Sequence, residues 1–317
     1  MVEKERKFGF LAIGVTGLLV LALLACGCTQ QPAGDRGEIV SIQVTGSTTV
    51  LPIAQAVAEI YMDTHPTADI RVSGGGSSVG VQAIGEGSAD IGMASRDLKS
   101  TEVERYPDLV STVIASDGIA IIVHPENTVE TLTMEQIKAI YRGSVKNWNE
   151  VGGPGAEIVL IGRDSASGTR EFFSEKVMEK EDFAPTQLEK NSNGAVKQTV
   201  AQTPGAIGYV GLGYIDETVR AIPVISDGTA VEPTVGNVIS GEYPIARPLI
   251  MITNGQPQGL AKDYLDFILG TDGQEIIGEE GDEPLFPDDH LPVSAEDEVK
   301  VVLCQALGLS KDYLDFI

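Results

Sequence analysis

Arg163-Asp164-Ser165-Ala166-Ser167-Gly168-Thr169-Arg170 lies between the apolar run Ile158-Val159-Leu160-Ile161 and the helical pattern opening Glu171-Phe172-Phe173-Ser174. A strand that breaks into small polar residues and then opens a helix leaves several backbone N–H groups unpaired and aimed at one spot. Such a spot attracts an anion. Ser167 or Thr169 can cap the helix, both hydroxyls can donate to an oxyanion, and Arg163 supplies a planar cationic fork beside them. Taken alone, the stretch would serve equally well as an ordinary capped helix with a surface arginine. It does not stand alone, because the same design occurs twice more upstream.

The first copy follows the alternating strand Glu38-Ile39-Val40-Ser41-Ile42-Gln43-Val44, which runs into Thr45-Gly46-Ser47-Thr48-Thr49-Val50-Leu51-Pro52 and a helical pattern that His65-Pro66 ends. The second follows a short strand over Ala68 to Val72, with the turn Ser73-Gly74-Gly75-Gly76-Ser77-Ser78-Val79-Gly80 and a helix through Val81 and Ile84. Glycines there let a ligand approach the backbone closely. No Lys-Ser/Thr pair follows them, and no dinucleotide spacing is present, so nucleotide binding is disfavoured. Further on, Ala89 to Ala94 reads as a strand ending at Ser95-Arg96-Asp97, Leu109 to Ala115 as another ending at Ser116-Asp117-Gly118, and Ile119 to Val123 as a separate buried run. Strands alternating with helices throughout predict an α/β fold with mainly parallel sheets. Ligands of such sheets sit at the carboxyl ends of the strands, so the three Ser/Thr/Gly turns are expected to face one cleft.

With 317 residues, 42% of them hydrophobic and 21% charged, the chain can bury a sizeable core in one large or two medium domains. Lys4, Arg6 and Lys7 precede an apolar run from Phe8 to Ala25 and then Cys26-Gly27-Cys28, the layout of a secretory signal. It resembles a lipoprotein signal over residues 1–28, with Cys28, or alternatively Cys26, as the lipidated residue. A polar linker, 29–37, follows. The mature chain is therefore expected outside the cytoplasm, anchored to the outer face of the membrane. Only Cys304 remains beyond this segment, so no disulfide framework is available. A net charge of -24 disfavours nucleic acid as a partner. It does not disfavour a small anion, since exposed charges beyond about 8 Å are screened at physiological salt while helix-end dipoles act at contact.

At the C-terminus, Gly259-Leu260-Ala261-Lys262-Asp263-Tyr264-Leu265-Asp266-Phe267-Ile268 returns as Gly308-Leu309-Ser310-Lys311-Asp312-Tyr313-Leu314-Asp315-Phe316-Ile317. It is too short for a repeat architecture and reads as a partial duplication. Residues 287–317 are expected to form a poorly ordered acidic tail.

The turns resemble those of the phosphate-binding proteins of ABC phosphate importers. The resemblance is carried by Gly46 to Ile53, Ser73 to Gly80, Ala89 to Arg96, Ser116 to Gly118 and Ser167 to Arg170, extended by Ser192 to Gln198, Ala206 to Val210 and Tyr243 to Pro248. It implies a two-lobed, type II periplasmic-binding-protein-like fold with the ligand in the interlobe cleft. Lobe 1 would comprise residues 38–116 plus 250–286 and lobe 2 residues 117–249, acting as a monomer without a cofactor. Implied phosphate ligands are Thr48, Thr49, Ser77, Arg163, Ser167, Gly168 and Thr169, with Ser47, Ser78, Ser95, Arg96 and Asp117 as further candidates. The implied partners are inorganic phosphate and the permease subunits of the importer.

Two positions depart from the family pattern. Where members read A-S-D, this chain has Arg96, and the position two after Arg163, commonly acidic, is Ser165. An ionised carboxylate accepts the proton of monohydrogen phosphate and repels sulfate, which has none, so the acceptor must lie elsewhere. Asp117 is the first candidate, with Asp97 and Asp164 in reserve. Sulfate, molybdate or tungstate binding is the alternative. A phosphate-ester hydrolase is a minor one, since His65, His124 and His290 sit in no G-x-S-x-G or H-E-x-x-H context.

Overall fold

The structure is a computed structural model that describes residues 38–281 and 283–284. The expected signal segment with Cys26 and Cys28, the expected linker 29–37 and the tail 287–317 with its repeated decapeptide lie outside the described residues. Among the described residues, no helix is long and apolar enough to cross a membrane.

Three strand–turn–helix units come first: β1 (Val40–Gly46) with α1 (Leu51–Thr64), β2 (Ala68–Gly74) with α2 (Ser77–Gly85), and β3 (Ile91–Ala94) with α3 (Ser100–Arg105). β1 buries Ile42 and Val44 and leaves Ser41 and Gln43 toward the surface, as its alternation predicts. Pro52 sits in the first turn of α1, where its missing N–H is harmless, and the helix stops before His65-Pro66. The chain continues through β4 (Leu109–Val123), β5 (Leu132–Thr133), α4 (Met134–Tyr141), β6 (Val159–Arg163), α5 (Gly168–Lys176), β7 (Leu188–Lys190), α6 (Asn193–Gln202) and β8 (Ala206–Gly211). Short strands β9 (Arg220–Ile222), β10 (Val224–Ser226) and β11 (Thr229–Val231) and helix α7 (Val235–Ile239) lead into β12 (Ala246–Asn254). Helices α8 (Gly259–Leu269) and α9 (Thr271–Glu279) and the two-residue β13 (Glu283–Pro284) complete the described chain.

The strand order β2-β1-β3-β12-β4-β8-β6-β7 places β4 and β12 side by side in the middle. Pairing is parallel on the flanks, where helices connect the strands, but antiparallel from β3 through β12 and β4 to β8. The expectation of mainly parallel pairing thus describes the flanks, and a mixed centre joins them. The expected break at Ser116-Asp117-Gly118 is not a break. β4 runs through it as one 15-residue strand, because β12 pairs with both halves, with a register shift between Leu249 and Ile250.

Those two long strands pass from one hydrophobic core to the other. The first core gathers Val44, Ile53, Val57, Tyr61, Met93, Ile114, Leu249, Met251, Tyr264 and Ile268, and the second gathers Ile119 to Val123, Tyr141, Trp148, Ile161, Phe173, Ile207 and Tyr209. Within β4 the changeover falls between Ala115 and Ile119, where Asp117 sits. A two-lobed architecture with a two-strand connection follows from this division.

Candidate anion-binding site

The cleft is built where the first-core turns meet the second-core turns. Thr48 and Thr49 precede α1, Ser77 opens α2, and Ser95 follows β3. Opposite them stand Arg163 at the end of β6, Ser167-Gly168-Thr169 at the start of α5, and Asn193 at the start of α6. All of these side chains are buried. The two sides touch directly. Thr49 Oγ1 and Thr169 Oγ1 are 3.2 Å apart, Ser78 N donates to Ala166 O at 3.1 Å, and Arg163 Nη2 donates to Thr48 Oγ1 at 3.2 Å.

Glycine is required at two of these contacts. Gly76 has φ of 104°, and a methyl group there would lie 2.5 Å from Ala166 O. At Gly168 a methyl group would lie 2.1 Å from Ser77 Oγ and 2.8 Å from Ser77 Cβ.

Two arginines enter the site and play different parts. Arg247, on β12, pairs in register with Asp117 on β4. Its Nε and Nη2 both donate to Asp117 Oδ2, at 2.9 and 2.6 Å, and Nη2 also reaches Thr49 Oγ1 at 3.1 Å. Nη1 donates to Thr169 Oγ1 at 2.8 Å and to Ser95 O at 3.3 Å. These five bonds use all five N–H groups of the guanidinium. A buried ion pair is tolerated only when its remaining hydrogen-bonding capacity is met, and here it is.

Arg163 is only 1% exposed and incompletely bonded. Nε donates to Lys190 O at 3.3 Å and Nη2 to Thr48 Oγ1 and Asn191 O, whereas Nη1 is buried with no hydrogen-bond partner among the described residues. Burial pulls its pKa down to about 10, so the group stays charged at neutral pH. A buried cation with a free nitrogen calls for an anion. Its backbone N donates to Tyr209 OH at 3.2 Å, and that ring stacks on Phe173 with centroids 4.1 Å apart, which fixes the end of β6. Burial pushes the Tyr209 hydroxyl up to about 12, so it remains neutral.

The threonine hydroxyls are oriented by these cations. Thr48 Oγ1 accepts from Arg163 and Asn193, and Thr49 Oγ1 accepts from Arg247 and Asn193. Their lone pairs being occupied, Thr48 keeps its proton for an oxyanion, while Thr49 gives its own to Thr169 Oγ1, which also accepts from Arg247 and so has its proton free instead.

The structure therefore brings together Thr48, Thr49, Arg163, Thr169 and Gly168, with Ser77 beside Ser95. Ser77 Oγ lies 3.4 Å from Ser95 Oγ and accepts from Ser95 N at 3.1 Å. Ser167 caps α5 by accepting from Arg170 N and keeps its own proton to donate. Ser47 accepts from Thr49 N and holds the first turn.

Arg96 and Ser78 are placed otherwise. The Arg96 guanidinium pairs bidentately with Glu102 at 2.8 and 2.9 Å, and also donates to Ser78 Oγ and Asp97 O. Its Nε lies 2.6 Å from Glu171 Oε2 on α5, a charge contact rather than an aligned hydrogen bond, and Lys99 Nζ reaches the same oxygen at 2.8 Å. Arg96 thus ties the two sides of the cleft together at the rim. Asp117 is not free to accept a ligand proton as first expected: Arg247 occupies Oδ2, and Leu212 N donates to Oδ1 at 2.9 Å. Asp97 is exposed. Sequence reasoning missed Arg247 and Asn193 as members of the cluster. Both lie in stretches that carried the resemblance, Tyr243 to Pro248 and Ser192 to Gln198, but only strand register and helix placement turn them into the cleft.

Comparison with known proteins agrees with this geometry. Residues 29–272 match the family model of the PBP superfamily domain. The phosphate-binding protein PstS of Bacillus subtilis (strain 168) is 36% identical over 245 residues, covering 77% of this chain and 80% of the relative. A substrate-binding protein from Clostridium perfringens solved with bound phosphate is 38% identical with a TM-score of 0.73, covering 77% of this chain and 99% of that one. An ABC-type phosphate transport receptor from Vibrio cholerae is 33% identical with a TM-score of 0.64, covering 78% and 100%. Two cores joined by a pair of crossing strands, a cleft of convergent hydroxyls around a half-bonded arginine, and this similarity over most of its length place the chain in the PBP superfamily, in the family of PstS phosphate-binding proteins.

Proposed function

We propose that the chain binds inorganic phosphate in the cleft between its lobes and delivers it, outside the cytoplasm, to the permease of an ABC importer. The lobes are residues 38–116 plus 250–286 and residues 117–249, which the changeover of core residues within β4 and β12 supports. Thr48, Thr49, Ser77, Arg163, Ser167, Gly168 and Thr169 hold the anion. The observation that carries this reading is Arg163 Nη1, a buried cationic nitrogen without a protein partner beside hydroxyls whose lone pairs are already taken. Arg247 and Asp117 act behind them as a neutral pair that sets the orientation of Thr49 and Thr169. Binding draws the lobes together, and the closed, loaded form docks on the permease. An N-terminal lipid on Cys28, or alternatively Cys26, keeps the protein at the membrane.

Calorimetric titration of the protein, stripped of anion, with phosphate, sulfate and molybdate tests the proposal. One-to-one phosphate binding that Arg163→Met weakens at least ~100-fold is the expected result, since a charged hydrogen-bonding partner is lost from a buried site. Sulfate or molybdate binding as tight as phosphate would overturn the substrate assignment.

A further inference from the structure

Residue 96 is an arginine paired with Glu102, and Asp117 is committed to Arg247 and Leu212, so the proton of monohydrogen phosphate needs an acceptor elsewhere. Asn193 is completely buried at the start of α6. Its Nδ2 donates to Thr49 Oγ1 at 2.9 Å and Thr48 Oγ1 at 3.3 Å, which seats the carboxamide against the hydroxyls of the first turn. Its Oδ1 is buried and has no hydrogen-bond partner among the described residues. The carboxamide orientation is set by its surroundings. Were the oxygen turned toward Thr48 and Thr49, Thr48 would spend its proton on it instead of on the ligand and Thr49 would give up its bond to Thr169. As placed, the amide group gives its N–H to the threonines and leaves one acceptor over.

Against the threonines there thus remain a buried free donor nitrogen, Arg163 Nη1, and a buried free acceptor, Asn193 Oδ1. Monohydrogen phosphate satisfies both, having unprotonated oxygens for the first and a P–O–H for the second. Sulfate satisfies only the donor and sets a lone pair against Oδ1. We propose that Asn193 is the residue that selects phosphate, its Oδ1 accepting the ligand's proton in place of a carboxylate. This rests on phosphate being the ligand. Asp117 already pairs with Arg247, which leaves Arg163 as the cluster's cation for the dianion. Asp164 Oδ1 is the rival, being likewise buried without a hydrogen-bond partner, but Asp164 makes no hydrogen bond to the threonine cluster.

The test measures phosphate, arsenate and sulfate affinities by calorimetry, with sulfate read by competition where weak, for the wild type and for Asn193→Ala, Asn193→Asp and Asp164→Asn. Wild-type phosphate binding is established first, so that failure of the substrate assignment is seen separately. Asn193→Ala is expected to lower the ratio of phosphate to sulfate affinity by ~10- to 100-fold, the effect of leaving one buried hydrogen bond unmade. Arsenate, which carries the same proton, should move with phosphate. Asn193→Asp, with a charged acceptor, should raise the ratio. Should Asn193→Ala fail to fold, as its melting curve would reveal, the direction of the change in Asn193→Asp decides alone. Parallel losses for phosphate and sulfate would show that Asn193 only positions Thr48 and Thr49, and a fall in the ratio confined to Asp164→Asn would move the role to Asp164; either overturns the proposal.

Discussion

Replacing Gly168 by alanine separates closure from stability. Gly168 is the first residue of α5 and has no left-handed backbone requirement, so the substitution leaves the local fold intact. In a helix, alanine is favoured over glycine by up to about 1 kcal/mol. The added methyl group, however, would lie 2.8 Å from Ser77 Cβ, against a comfortable carbon–carbon separation of about 3.5–4.0 Å. Rotating the serine hydroxyl aside cannot relieve a contact with Cβ. The two turns must therefore separate by roughly 1 Å, the difference between those distances. Contacts now at 3.1–3.2 Å, Ser78 N to Ala166 O and Thr49 Oγ1 to Thr169 Oγ1, would then exceed hydrogen-bonding range. A ligand gripped from both sides loses good geometry with one of them. With about 1.5–3 kcal/mol per hydrogen bond to a charged group, a net loss of about 3 kcal/mol is expected, or roughly 10²-fold in affinity. Calorimetry with phosphate, together with melting of the anion-free protein, measures both quantities. An affinity within about threefold of the wild type would refute the reasoning, whereas an unchanged or raised melting temperature alongside the affinity loss would bear it out.

Glu171→Gln removes the charge that joins α5 to Arg96 and Lys99 across the cleft rim. Since Glu171 is 25% exposed, the effect is modest: phosphate should dissociate roughly two- to fivefold faster with the phosphate-to-sulfate ratio unchanged, and an unaltered stopped-flow off-rate would count against a role in closure. Asp216→Asn tests a surface pair away from the cleft. Hydrogen bonds from Lys197 and then Thr218 lower the Asp216 pKa to about 2, so its stabilisation is present above the unfolded value near 3.8 and is lost as pH falls toward 2. With Asp216 34% exposed, about 1 kcal/mol at most is at stake after solvent screening. The wild-type advantage in urea midpoint should be present at pH 5 and vanish near pH 2; a constant difference would disprove the assignment.

The recurring strand, Ser/Thr/Gly turn and helix units were legible because each is a local pattern. Alternation in Ile42 and Val44, Pro52 at a helix start and Ser167 at a cap all act within a few residues. Arg163, Ser167 and Thr169 could be named for the same reason, as a cation and hydroxyls at one turn, whereas Thr48, Thr49 and Ser77 came from the resemblance. The reading failed where a distant segment decides. Ser116-Asp117-Gly118 has the composition of a turn, yet β12, more than a hundred residues later, pairs across it and keeps it extended.

The sequence by itself therefore determined the α/β class and the three donor turns, since these rest on residue type and short-range periodicity. Only the tertiary structure decided the division of labour among the charges. The register of β12 against β4 brings Arg247 onto Asp117 and consumes the carboxylate that the sequence offered as proton acceptor. Packing of α5 against the first-core turns sends Arg96 to Glu171 and away from the ligand hydroxyls. Hydrogen bonds saturate, so which donor and which acceptor are left for a ligand depends on every other partner in the cluster, and those partners come from segments up to 198 residues apart.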